Sequence, residues 1–311
     1  MPHKSAFITI VGRPNTGKST LINTLIGKKI SITSHHPNTT RFALRGILTE
    51  KDFQLVFIDT PGLHKAKTVL GTTLNQVVDT SMSDVDIAIQ CIPAIEYIGS
   101  GDLYIAKELA KRDSLNRICV ITMIDMVSKT DLPKQLIAAQ ELAHQAGFEW
   151  DEIVPVSAFT DNQIQLLINL LVKYAKDGPE FFPSGMSSDQ DENLVIAELI
   201  REAAITNLKE ELPHSIAVTI DDFQRPSEKR STEIHASIIV ERESQKAILI
   251  GRGGKNLKEI GICARQEIEK FVGGKIFLGL HVKVVKNWQK DTKALKRFGF
   301  IQEDRKSTRL N

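Results

Sequence analysis

The chain has 311 residues, 40 Lys+Arg against 38 Asp+Glu, and a formal net charge of +2, with 41% apolar and 25% charged residues. At roughly 100–200 residues per domain this length favours two domains, and the mixture excludes a mostly disordered, collagenous or disulfide-stapled chain. The start, MPHKSA, lacks signal-peptide architecture, and no apolar run approaches the roughly 18–20 residues of a membrane span.

Residues 6–12, AFITIVG, form a short apolar run rich in β-branched residues, and 43–49, 53–59, 85–91, 117–123 and 152–156 read likewise as strands. Over 162–176, Ile164, Leu167, Ile168, Leu171, Val172 and Ala175 recur at helical spacing. Strands alternating with helices predict an α/β domain with a mostly parallel sheet across residues 1–176. Only Glu50-Lys51-Asp52 separate two of the strands, so a hairpin and one antiparallel edge strand are expected. Residues 177–193, DGPEFFPSGMSSDQDEN, have no period and read as the linker. An α+β domain follows over 194–303. A helix is expected at about 194–211, strands at 215–221 and 233–241, a short helix at 245–250, a long helix at 255–272 and a last strand at 276–285. Leu257, Ile260, Ala264, Ile268 and Phe271 mark the inner face of the long helix. Cys91, Cys119 and Cys263 suit no metal spacing and are expected to be buried, reduced thiols in the cytosol. Residues 304–311, DRKSTRLN, match one translated frame of a common sequencing adapter. They are expected to be a non-native tail that replaces the true C-terminus, with an ordinary basic tail as the alternative.

The strongest motif is Gly12-Arg13-Pro14-Asn15-Thr16-Gly17-Lys18-Ser19, which fits G-x-x-x-x-G-K-[ST] directly after the first strand and at the start of a helix. Such a loop wraps a phosphate with backbone N–H groups, and the helix aims its positive end at the same anion. Lys18 supplies charge to the β- and γ-phosphates, and Ser19 can ligate Mg²⁺. Asp59-Thr60-Pro61-Gly62 closes the third strand. Asp59 is placed to hold Mg²⁺ through water, and Gly62 to donate its N–H to a γ-phosphate. Between these motifs lies PNTTR, 37–41, in a polar switch-like stretch. Thr40, with Thr39 as the alternative, is the hydroxyl expected to reach Mg²⁺ when a γ-phosphate is present. Thr122-Met123-Ile124-Asp125 ends the fifth strand. The Asp125 carboxylate can accept two hydrogen bonds from the N1–H and N2–H₂ edge of guanine, an edge adenine lacks. Ser157-Ala158, after the next strand, suits a backbone contact to the guanine O6.

These five elements, in this order, resemble the G1–G5 motifs of Ras-like GTPases across roughly residues 5–176. The resemblance implies a P-loop GTPase that turns GTP into GDP and phosphate, with Lys18, Thr40 and Gly62 in the catalytic set. Two departures stand out. The usual fourth motif is Asn-Lys-x-Asp. Here Thr122 can do part of the loop-tying work of Asn, and Met123 keeps the apolar contact of Lys without its charge. Weaker nucleotide affinity with guanine preference kept is the expectation. Leu63 stands where Ras-type enzymes carry a water-orienting Gln. Some GTPases with an apolar residue there use a potassium ion held by a P-loop Asn, and Asn15 matches that position; its other reading is a turn residue. A catalytic role for His64 is set aside, since a lone His in a switch is more often solvent-facing.

The charge is uneven. Residues 246–300 carry 13 basic and 4 acidic side chains, net +9, whereas 179–245 are net −8. One electropositive region in a near-neutral chain points to a polyanion. Inside it, Gly251-Arg252-Gly253-Gly254-Lys255 places a G-x-x-G turn between two helices, in the order αββααβ. This is similar to a type II KH domain, which clamps about four unpaired bases. Arg252, Lys255 and Lys258 are the expected phosphate contacts, and Lys283, Lys286 and Lys290 extend the basic face. Trp288 either stacks on a base or packs inside the domain, the second being favoured.

A GTPase domain, a short linker and a type II KH domain in about 300 residues resemble the Era family of bacterial GTPases, with GRPNTGKS, NTTR, DTPGLH, IGRGG and KNWQKDTKALKRFGF as the matching stretches. The resemblance implies a monomer that binds the 3′ end of 16S rRNA and assists 30S subunit maturation. It also implies a cytoplasmic protein with peripheral contact to the inner membrane. Given Thr122 and Met123, an RNA-binding assembly scaffold with a weakly hydrolysing nucleotide site is the alternative.

Overall fold

The computed structural model describes residues 2–33, 42–62, 69–82, 85–206, 216–225 and 232–300. They fall into two compact units that part at Asp189 and Gln190. In chain order the residues up to Asp189 hold β1 (Lys4–Val11), α1 (Lys18–Ile26), β2 (Leu44–Glu50), β3 (Phe53–Asp59), α2 (Val69–Ser81), β4 (Ile87–Pro93), α3 (Ser100–Ala110), β5 (Asn116–Thr122), α4 (Leu132–Ala146), β6 (Glu152–Pro155), α5 (Ile164–Tyr174) and the two-residue β7 (Lys176–Asp177).

The sheet order is β2-β3-β1-β4-β5-β6, with β7 on the first residues of β1. β1, β3, β4, β5 and β6 pair in parallel. β2 runs antiparallel to β3 as the edge strand, with Glu50 opposite Phe53. The core follows from the apolar runs: Ile8, Ile10, Leu55, Phe57, Ile87, Ile89 and Val120 are fully buried beneath Leu21 and Leu25 of α1 and Leu167 and Leu171 of α5. Full burial of each such side chain is worth about 1.5–3 kcal/mol. Parallel strands buried on both faces need helices on both faces. That arrangement leaves the carboxyl ends of β1, β3, β4 and β5 together, where the motif loops emerge.

The stretch expected as a linker is lashed to this sheet as far as Asp189. The fully buried Gln54 side chain accepts from the Phe181 and Phe182 N–H groups at 2.7 and 3.0 Å and donates to the Phe182 carbonyl at 2.9 Å. Ile47 N donates to the Ser187 carbonyl at 2.9 Å, and Arg45 pairs with Asp189 at 3.2 Å. Its Gly, Pro and Ser content hid an ordered strap.

The second unit holds α6 (Glu192–Thr206), β8 (Ala217–Gln224), β9 (Thr232–Val240), α7 (Glu243–Ile250), α8 (Lys255–Val272), β10 (Ile276–Val284) and α9 (Thr292–Arg297). The order is αββααβ followed by one more short helix. The expected helix through 211 is described only to Thr206. β9 lies between β8, antiparallel with a bulge at Ile220–Asp222, and β10, parallel. Ile260, Ala264 and Ile268 of α8 are buried, whereas Phe271 is 42% exposed. The inner face is therefore narrower than its spacing predicted. Residues 304–311 lie outside the described residues.

Candidate nucleotide site and nucleic-acid groove

The loop between β1 and α1 is crowded. A Cβ on Gly12 would stand 2.7 Å from Thr16 Oγ1 and 2.8 Å from the Cys91 carbonyl, so only glycine fits there. Gly17, at φ 83°, caps α1, and the helix starts at Lys18. Lys18 is 6% exposed, and its ammonium donates to the Gly12 and Arg13 carbonyls at 3.1 and 2.7 Å. Burial lowers its pKa against the opposing pull of Asp59. A phosphate in the loop would favour the charged ammonium.

Ser19 Oγ donates to Asp59 Oδ2 at 2.8 Å, and Asp59 is fully buried. The pair places hard oxygen donors at the phosphate end of the loop, a set that suits Mg²⁺. Pro61 and Gly62 are buried beside them. A Cβ on Gly62 would lie 2.9 Å from the Pro14 nitrogen, so the end of β3 touches the phosphate loop directly. Asn15 is exposed with φ 64°, a left-handed position that Asn tolerates well. Thr40, Thr39, Leu63 and His64 lie outside the described residues.

Two side chains of the expected set are turned elsewhere. The Arg13 guanidinium pairs with Asp102 at 2.9 Å and Glu96 at 2.8 Å, away from the phosphate loop. Asp102 is fully buried, and a buried carboxylate requires such a partner. Arg13 therefore contributes its backbone to the loop and its charge to the α3 end. Thr60 donates to the Ile10 carbonyl at 2.7 Å, so its hydroxyl closes the β1–β3 ladder rather than a ligand shell.

At the base end, Thr122 Oγ1 donates to the Thr16 carbonyl at 2.8 Å, tying this motif to the phosphate loop. Met123 has φ 60°, and its methyl carbon lies 3.5 Å from where a Cβ on Gly17 would stand. Asp125 is exposed on the short turn Ile124–Met126. Ile124 N donates to the Val156 carbonyl at 3.4 Å, joining this turn to the Ser157-Ala158 loop. Ser157 is buried, and its hydroxyl accepts from Thr160 N at 3.1 Å.

Burial raises the Cys91 thiol to about 12 and pushes Cys119 up as well. Cys263, expected to be buried, is exposed on α8. It falls one residue before the buried Ala264 and off the inner face.

In the second unit, Gly251, Gly253 and Gly254 have φ of 71°, 62° and 79°. A Cβ on Gly251 would meet the Asn256 side chain at 2.6 Å, while none added at Gly253 or Gly254 would meet anything within 4 Å. The turn thus presents open backbone. Arg252, Lys255, Lys258, Lys283, Lys286 and Lys290 are all exposed, with Lys283 paired to Asp221 at 3.2 Å. A groove of about 570 Å³ runs from Gly254 between α8 and β10. Leu257 and Ile262 supply its apolar wall, Phe277 its aromatic edge, and Arg265 and Lys275 add charge. Sequence reading missed Arg265 of α8, Lys275 just before β10 and Phe277 of β10; strand alternation was a signal for Phe277 alone. Trp288 is fully buried, its ring 5.5 Å from Phe300 and 5.6 Å from Phe298, so it packs rather than stacks on a base.

A phosphate loop braced by a buried Asp59, a base turn ending in Asp125, and a separate αββααβ unit with an open G-x-x-G turn define a P-loop GTPase joined to a type II KH domain. A family model described as "50S ribosome-binding GTPase" matches residues 7–124, and one described as "KH domain" matches 211–289. The GTPase Era of Streptomyces coelicolor is 48% identical over 302 residues, 96% of this chain and 95% of that protein. That of Mycobacterium tuberculosis is 48% identical over 300 residues, 95% and 98% of the two chains. Among solved structures, Era in complex with MgGDPNP and nucleotides 1506–1542 of 16S ribosomal RNA superposes with a TM-score of 0.91 at 36% identity, over 96% of this chain and all of that one. A point variant of Aquifex aeolicus Era bound to GDP·AlF4− gives 0.90 at 34% identity, with the same coverage. The chain belongs to the Era family of GTPases.

Proposed function

We propose that this protein binds and hydrolyses GTP on its first unit and grips the 3′ end of 16S rRNA with its second, assisting maturation of the 30S subunit. The observation that carries the first half is the loop itself, where Lys18 is buried against the Gly12 and Arg13 carbonyls beside the Ser19–Asp59 pair. Gly12 to Ser19 cradle the phosphates, Gly62 faces the γ-phosphate position, and Asp125 reads the guanine edge. Ser19 and Asp59 would hold Mg²⁺, together with Thr40; the ion supplies charge neutralisation on the β- and γ-oxygens. Potassium at Asn15 is part of the same proposal.

The open turn at Gly251–Gly254, the groove beyond it and the exposed basic side chains support the RNA half, as does the solved Era complex with 16S rRNA. Crosslinking to RNA in cells, with bound positions mapped, tests it: crosslinks should gather at the 3′ end of 16S rRNA. Hydrolysis assays with and without that RNA separate the enzyme from a weakly hydrolysing scaffold, the reading that Met123 favours. A cytoplasmic location with peripheral contact to the inner membrane belongs to the same proposal, and cell fractionation tests it.

A further inference from the structure

Asp102 is a fully buried carboxylate with no direct part in the nucleotide site described above. Its Oδ1 accepts from Arg13 Nε at 2.9 Å, and its Oδ2 accepts from Gly99 N at 2.9 Å, at the start of α3. The Asp102 carbonyl accepts from the buried Gln90 side chain of β4 at 3.0 Å. Glu96, the second partner of Arg13, stands on the loop between β4 and α3. The Gln135 side chain of α4 holds that loop, donating to the Pro93 and Ala94 carbonyls at 3.2 and 3.3 Å and to the Glu96 carbonyl. The Arg13 stem crosses Gly101 so closely that a Cβ there would stand 2.7 Å from Arg13 Cδ. Arg13 is thus clamped between a braced loop and a helix start.

The same residue carries the seat of Lys18. The Arg13 carbonyl accepts from the Lys18 ammonium at 2.7 Å, closer than the 3.1 Å bond to Gly12, and from Thr16 Oγ1 at 3.0 Å. Thr122 ties the phosphate loop at the Thr16 carbonyl; the Arg13 side chain ties it at Arg13. A buried carboxylate–guanidinium pair adds little net stability once desolvation is counted, so its contribution here is geometric. We propose that Asp102 is a positioning residue for GTP hydrolysis: through Arg13 it fixes the carbonyl on which the Lys18 ammonium sits, and so aims that charge at the β- and γ-phosphates. The proposal rests on the GTPase reading above. A displaced Lys18 keeps its charge, and the backbone N–H groups and Asp125 still hold the nucleotide. The loss therefore falls on the transition state, where charge develops and placement matters most.

The test compares full-length wild type with Asp102→Asn, Arg13→Met and the double variant carrying both, in Mg²⁺ and well below their thermal midpoints. Arg13→Met leaves a buried carboxylate without its partner and should lower the midpoint most. In the double variant the amide can still accept from Gly99 N, so the midpoint should return towards wild type. Hydrolysis should not return. In Asp102→Asn and the double variant alike, kcat should be down about tenfold, with KM changed by less than about threefold. Glu96→Gln should cost less, since its pair with Arg13 is partly exposed. A double variant with a recovered midpoint and wild-type kcat would overturn the proposal and leave the pair structural. So would a KM raised about tenfold with kcat unchanged, which would put the effect on ground-state binding. If the wild type itself hydrolyses no GTP, the GTPase reading fails, a result distinct from any difference among the variants.

Discussion

The two glycine-rich loops of this protein both suit phosphate, and they do so by opposite means. In the loop before α1, glycine is needed because neighbours crowd in, with Thr16 and the Cys91 carbonyl inside 3 Å of a Cβ on Gly12. Its cation, Lys18, is 6% exposed. In the turn before α8, glycine is needed for left-handed backbone, and the space in front of Gly253 and Gly254 is open. Its cations, Arg252, Lys255 and Lys258, stand in water. The first design encloses one small anion in a low-dielectric site, where each interaction is strong. The second suits a long polyanion laid across a surface, where each contact is weak, screened by salt and replaceable.

That contrast sets the order of expected effects. Lys18→Ala should abolish measurable GTP binding, since truncating a buried charge partner costs about 2–5 kcal/mol. Unchanged affinity for a fluorescent GTP analogue would remove the phosphate-loop assignment. Next comes Asp125→Asn, which reverses the donor–acceptor pattern at the base edge and should shift preference from GTP towards XTP. A wild-type protein that binds ATP as well as GTP would contradict the guanine reading.

On the open loop, Gly253→Asp should keep the fold, because Asp tolerates φ near 62° better than most residues and no neighbour blocks it. It should nonetheless weaken single-stranded RNA strongly, placing a carboxylate where phosphate must approach. Lys286→Ala should cost far less and make the salt dependence shallower by about 0.7 in log–log slope. GTP affinity should stay at the wild-type value in both, since the two loops belong to separate units. An equal RNA loss in the two variants would erase the distinction between the turn and its periphery.

A smaller effect concerns the monovalent cation. Potassium should accelerate GTP hydrolysis several-fold over sodium at equal ionic strength. Asn15→Gly should remove the difference while keeping the positive φ that Asn15 now adopts. Equal rates in both salts would leave Asn15 as a turn residue only.

Much of this was legible in the sequence because the relevant spacing is local. The eight residues from Gly12 to Ser19 carry strand end, loop and helix start together, and the Glu50–Asp52 turn forces the β2–β3 hairpin. The order αββααβ around Gly251 is likewise read from short-range pattern. What stayed hidden depends on partners far along the chain. Arg13 turns to Glu96 and Asp102, 83 and 89 residues away. Residues 181 and 182 are ordered by Gln54, over 120 residues earlier. Thr60 serves Ile10, 50 residues back. No period records such contacts. Cys263 was misplaced for another reason: on an amphipathic helix one residue step turns a side chain about 100°, enough to carry it from core to water.

The most direct measurement is a pair of salt titrations on one preparation. GTP binding and binding of a 16S rRNA 3′-end fragment are followed over the same range of potassium chloride. Four phosphate contacts, from Arg252, Lys255, Lys258 and Lys286, predict a log–log slope of about −3 for the RNA, with a clearly shallower slope for GTP in its enclosed loop. An RNA affinity indifferent to salt, or a GTP slope as steep as that of the RNA, would contradict the account.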